Sequence, residues 1–177
     1  AHEETISAKC AALSSQPSAP PMHLIQAKID GVLYELDHHR SEDATGASDR
    51  FVIITNRNGA KNFELCCCKC SQTSQDHWFT LLPSSPSLYI TEIDVHSNFW
   101  AISCREHGYE CVMLALASDI AAALAALDMC TVGTELKIHR LPPRDEVFVM
   151  SYGRNAEYAT AEFRFTYTSP TTPHMTC

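Results

Sequence analysis

Along most of this chain the apolar residues come in short blocks, many near period two, broken by polar or Pro/Ser stretches. That period places successive side chains on opposite faces of an extended strand, so the pattern predicts β-structure. Residues 24–36 read as one bent strand or a hairpin around Asp30-Gly31, and residues 41–49 as a polar loop. The clearest signal follows. Phe51-Val52-Ile53-Ile54-Thr55 and residues 62–70 flank Asn58-Gly59, a pair that accepts positive φ, so the two runs are predicted to fold back on each other. Residues 77–82, 88–94, 99–104 and 111–117 supply four more strands, and residues 134–139, 147–152 and 157–167 a further three. One segment differs. Ser118-Asp119 opens an Ala-rich stretch in which Ile120, Leu124 and Leu127 fall on one stripe, predicting a single helix near residues 118–130 with Ser118 as its N-cap.

This order of elements predicts a mostly β protein: an antiparallel up-and-down β-barrel with one late helix, or alternatively a two-sheet β-sandwich. Residues 1–23, Pro- and Ser-rich towards their end, are expected to form an extended arm, residues 24–167 a single domain, and residues 168–177 an extended tail. With 177 residues the chain is long enough to bury a core of its own.

Charge narrows the function classes. Asp and Glu number 21 against 13 Lys and Arg, a formal charge of −8, which argues against nucleic acid and against an anionic membrane surface as partners. No apolar run reaches the roughly 18 residues of a membrane-spanning helix. Nine cysteines, at positions 10, 66, 67, 68, 70, 104, 111, 130 and 177, point to an oxidising compartment, and the start at Ala1 without a charged and apolar leader reads as a processed, secreted or organelle-lumen protein. No Asn-x-Ser/Thr acceptor occurs to support the secreted reading.

Cys104 and Cys111 bracket a polar, Gly-containing turn, and facing positions of a hairpin bring two cysteines within reach of a disulfide; the pair is expected to be bonded. The odd ninth cysteine leaves a thiol for a protein partner, reached also through arm or tail. Cys66, Cys68 and Cys70 share one strand face, but successive same-face residues sit roughly 7 Å apart, too far to share an ion on a straight strand, so no metal site is expected. A Cys104–His107 nucleophile lacks an oxyanion site, and phosphate-loop, Gly-x-Ser-x-Gly and His-Glu-x-x-His signatures are missing. No catalytic residue, no cofactor and no enzyme activity are expected.

Three passages resemble the lipocalin family. Gly31-Val32-Leu33-Tyr34-Glu35-Leu36 is similar to its first-strand motif, with Leu33 where that motif has tryptophan. Asp94, ahead of Asn98-Phe99-Trp100-Ala101-Ile102, matches a second region, and residues 111–117 leading into the Ser118 helix resemble the family's strand-to-helix passage, without its arginine. The resemblance covers residues 24–140. It implies a secreted or lumenal protein whose barrel carries or sequesters a small hydrophobic ligand, with Tyr34, Phe51, Phe79 and Phe99 as ligand contacts. The alternative is a galectin-like sandwich, an adhesion or assembly module that docks on a protein partner.

Overall fold

The computed structural model describes residues 24–41, 45–129 and 135–177. The expected arm, with Cys10, and also Cys130 lie outside the described residues. Strands β1 (Tyr34–His39), β2 (Arg50–Thr55), β3 (Glu64–Lys69) and β4 (Phe79–Leu82) form a first antiparallel sheet in chain order. A second contains β5 (Leu88–Val95), β6 (Phe99–Glu106), β7 (Tyr109–Leu116) and the short β8 (His139–Arg140), again in chain order. A third holds β9 (Val149–Tyr152), β10 (Phe165–Thr168) and β11 (Met175–Thr176). Each sheet is thus a meander of chain neighbours. The tail is anchored, since Phe165 and Cys177 exchange backbone hydrogen bonds of 3.1 and 2.8 Å.

The described strands do not close into a barrel, and they form three sheets rather than the two of a sandwich. Both expectations therefore fail, for two physical reasons. Between β4 and β5 runs Pro83-Ser84-Ser85-Pro86-Ser87, whose prolines lack the N–H that would carry a ladder across; the chain leaves one sheet there and starts another. The central strands are also buried on both faces: Val52, Ile53, Ile54 and Thr55 on β2, Leu65 to Cys68 on β3, Phe99 to Ile102 on β6. A barrel wall has one face for solvent, whereas a layer inside a stack has none.

The sheets pack face to face. Val52, Ile54, Leu65, Cys67 and Leu81 of the first meet Ile90, Trp100, Ile102 and Met113 of the second. The alternate residues Phe99, Ala101 and Val112 turn the other way, onto Met150 and Tyr167 of the third. Tyr152 staples this second junction: its hydroxyl accepts the Ser103 N–H at 2.8 Å and donates to the Ala101 carbonyl. On the far face of the first sheet, Ile53, Cys66, Cys68 and Trp78 form a separate cluster.

Helix α1 (Ala117–Asp128) runs directly out of β7. Its N-cap is Leu116, with no side-chain cap bond, so Ser118 lies inside the first turn rather than at the cap. Ile120 and Ala123 are its buried residues and join the core between the first two sheets. At its end Asp128 receives Arg50 at 2.6 Å and Lys69 at 3.2 Å, which pulls its carboxyl below the usual range and ties the helix to β2 and β3. Residues 157–167, expected as one strand, are a loop up to Arg164. Gly153 donates to the Arg164 carbonyl at 2.9 Å, and a Cβ there would stand 2.8 Å from that oxygen, so only glycine permits this crossing.

Candidate functional site

The first strands of the first two sheets, β1 and β5, lie beside each other, each with one lateral edge that has no strand partner among the described residues. The lead-in to β1 is fixed by Asn56, whose side chain accepts the Leu33 N–H at 2.7 Å and donates to the Gly31 carbonyl at 3.1 Å. Gly31 has φ +80, which explains why the chain turns at Asp30-Gly31 before the strand begins. Asp37 then couples the strands: one carboxylate oxygen accepts the Val95 N–H at 2.8 Å.

At the β1 end of this junction is a cleft of about 320 Å³ bordered by Leu33, Tyr34, Glu35, Phe63 and Tyr89, with Ile54 and Ile90 beneath. Phe63 carries φ 64, a conformation that bulky residues rarely adopt, and its ring meets Tyr89 edge-on at 5.7 Å. The same strands present Glu35, Glu92 and Asp94. Burial pushes the Glu92 carboxyl above its usual range, and the Asp94 and Glu35 carboxylates push it further the same way. Beside them, buried His96 places Nδ1 3.1 Å from the Glu157 carbonyl and Nε2 3.1 Å from Asp94, the latter outside hydrogen-bond geometry. The site is a mostly apolar cleft bordered by one carboxylate, Glu35, with Glu92 and Asp94 farther along β5.

The four rings expected to share one ligand occupy different places. Tyr34 borders the cleft, contacts Trp78 at 5.4 Å and donates to the Gln26 carbonyl at 3.2 Å. Phe51 sits near His38 on the far-face side of the first sheet, Phe79 is 49% exposed on edge strand β4, and Phe99 is buried between the second and third sheets against His96 and Phe163. Cys104 and Cys111 face each other in register with their sulfurs 3.3 Å apart. Cys66, Cys67 and Cys68 are buried thiols, pushed up to about 12, about 12 and about 11 by that burial. Among the described residues no group of three or more His, Cys, Asp or Glu side chains is placed to hold a metal ion.

One polar centre gave no sign in the sequence. Arg57 is buried and donates to Glu64 at 2.7 Å, to the Gln75 and Trp78 carbonyls at 3.0 and 2.7 Å, and lies 5.7 Å from the Trp78 ring centre. It sits among turn residues, and only the fold carries Glu64 and Trp78 to it.

The family model for the prolyl oligopeptidase N-terminal beta-propeller domain matches residues 8–177. A dipeptidyl aminopeptidase BI from Pseudoxanthomonas mexicana is 23% identical over 98% of this chain and 20% of its own length. Among solved structures, oligopeptidase B from Leishmania major superimposes with a TM-score of 0.64 at 21% identity, over 82% of this chain and 18% of that one. Oligopeptidase B from Trypanosoma brucei, with covalently bound antipain, gives 0.64 at 20% identity over the same shares. The chain therefore spans about a fifth of the length of these relatives. Stacked antiparallel meanders are the blades of a propeller. The lipocalin likeness is thereby overturned, with its ligand carriage and transport, and so is the galectin-like sandwich: the motifs that suggested them are short strand and turn sequences. From the match over nearly its whole length, the chain belongs to the family of prolyl oligopeptidase N-terminal β-propeller domains.

Proposed function

We propose that this chain is the propeller portion of a peptidase of the prolyl oligopeptidase kind, and that the nucleophile acting on the peptide is supplied by residues outside it. The observation that carries this reading is the family match over residues 8–177, which covers a propeller domain of such enzymes. The cleft between β1 and β5 is where the peptide passes: an extended chain can pair with the open edge of β1 through main-chain hydrogen bonds, and Glu35 at the cleft, with Glu92 near it on β5, favours one carrying positive charge.

The test uses the natural protein with whatever sequence accompanies these residues. A serine-directed fluorophosphonate probe should label it, and peptide mapping should place the label outside residues 1–177. A label within them, or a natural protein that cleaves no peptide, overturns the proposal. Glu35→Gln with Glu92→Gln should raise KM for cationic peptides several-fold and leave kcat unchanged; an unchanged KM removes the cleft from the peptide's path.

A further inference from the structure

In the hairpin of β6 and β7 the registered pairs run from Cys104↔Cys111 through Arg105↔Glu110 to Glu106↔Tyr109, and the turn is made by His107 and Gly108 with φ 49 and 88. The two sulfurs lie 3.3 Å apart, and the side chains belong to the core between the first two sheets. Directly opposed strand residues have Cα atoms about 4.5–5.5 Å apart, within the span of a disulfide, so the bond needs only a small approach of the sulfurs. We infer that Cys104 and Cys111 are a reversible redox pair, which closes to a disulfide by exchange with a small-molecule disulfide such as oxidised glutathione.

The sulfurs are buried, at 2% and 4% exposure of their residues, yet only two residue pairs separate them from the turn. The tip is held from outside by Arg140 on Glu106 and by Phe148 stacked on Tyr109 at 5.6 Å, and its local opening, which breaks these contacts and two residue pairs, admits a small disulfide without opening the sheet. Cys111 is the first attacker, because the hydrogen bond from the Cys104 thiol pulls its own thiol down, while Cys104 is held protonated. Its thiolate attacks one sulfur of the glutathione disulfide; the S–S bond breaks and one glutathione thiolate leaves, taking up the proton that Cys111 lost. Cys104 then attacks the Cys111 sulfur of the mixed disulfide, and its proton goes to the second departing glutathione. In sum, two protein thiols are oxidised to one disulfide and one glutathione disulfide is reduced to two thiols. Cys66, Cys67 and Cys68 do not compete: Cys67 points to the opposite face from the other two, Cys66 and Cys68 on their shared face sit roughly 7 Å apart, and burial holds these thiols neutral.

The native protein should be equilibrated in glutathione buffers of rising oxidised share, quenched in acid, alkylated and digested without reduction. Trypsin cuts at Arg105 and places the two cysteines on separate peptides, so the bond appears as a linked pair, two hydrogens lighter than the separate thiols, with Cys70 alkylated on the peptide of Cys104 and Cys130 alkylated on that of Cys111. The link should form at a defined ratio, raise the melting temperature and vanish with dithiothreitol. In Cys104→Ser, Cys111 should stop at the mixed disulfide with glutathione. Alkylation of both cysteines at ratios that already oxidise the exposed Cys177, or a bond from either one to another cysteine, overturns the inference.

Discussion

At the scale of single residues, stability rests on a few polar groups that the fold encloses. His39 lies against Trp100, ring centres 5.3 Å apart, and its Nδ1 accepts the indole N–H at 3.2 Å. Burial lowers its pKa below the ordinary 6.5, and the neighbouring His38 and Arg50 act the same way, with Asp49 opposing. The folded state then binds fewer protons than the unfolded one, so its stabilising share is full above pH 6.5 and is lost as pH falls through and below that value. Urea melts at successive pH values should show this loss, and His39→Gln, which keeps an acceptor for Trp100, should reduce it. Arg57 makes a different prediction. Removing it leaves Glu64 buried and unpaired, so Arg57→Met should cost about 3–5 kcal/mol in chemical denaturation. Arg57→Met with Glu64→Leu should cost less than the single change, and equal losses would show that the carbonyl bonds to Gln75 and Trp78 matter more than the ion pair.

At the scale of elements, Ser118→Ala is informative because the helix does not begin where its sequence suggests. With Ser118 inside the first turn and no cap bond to lose, the change should leave stability within a few tenths of a kcal/mol or raise it slightly, alanine being the better helix former. A loss near 1 kcal/mol in thermal melts would restore the cap. Most strands were legible, since short apolar blocks between polar breaks mark them whatever they pair with. Three things were not. The helix start was hidden because β7 passes straight into it, with Leu116 extended and no polar residue at the boundary. Residues 157–164 alternate like a strand but serve as a loop, bound by Tyr158, whose hydroxyl contacts the backbone of Arg40 on both sides, and by Asn155 to Arg164. The arrangement of strands into three sheets, not one barrel, turns on the unbroken apolar runs of β2, β3 and β6. Such runs signal burial on both faces, and assigning these strands to the wall of a barrel passed over that signal. The cleft was half visible, in Tyr34 and the Gly31 turn, but Phe63 and Tyr89 come to it only through the register of two sheets.

At the scale of the molecule, the layers depend on each other. Trp100 is fully buried on β6, faces the first sheet and is hydrogen-bonded to β1 through His39. Trp100→Ala should cost about 3–5 kcal/mol. Hydrogen exchange should speed up in β2 and β3 as well as in β6 and β7; a change confined to the second sheet would mean that the layers unfold separately. The meander within each sheet has a consequence in time. Every strand of the first two sheets pairs with a neighbour in sequence, the longest reach being from β7 over the helix to β8, so no pairing waits for a distant segment. A nascent chain holds all the pairings of the first sheet once Leu82 has emerged from the ribosome, and the second sheet can then condense on that finished surface, so the order of synthesis is also an order in which these layers can assemble.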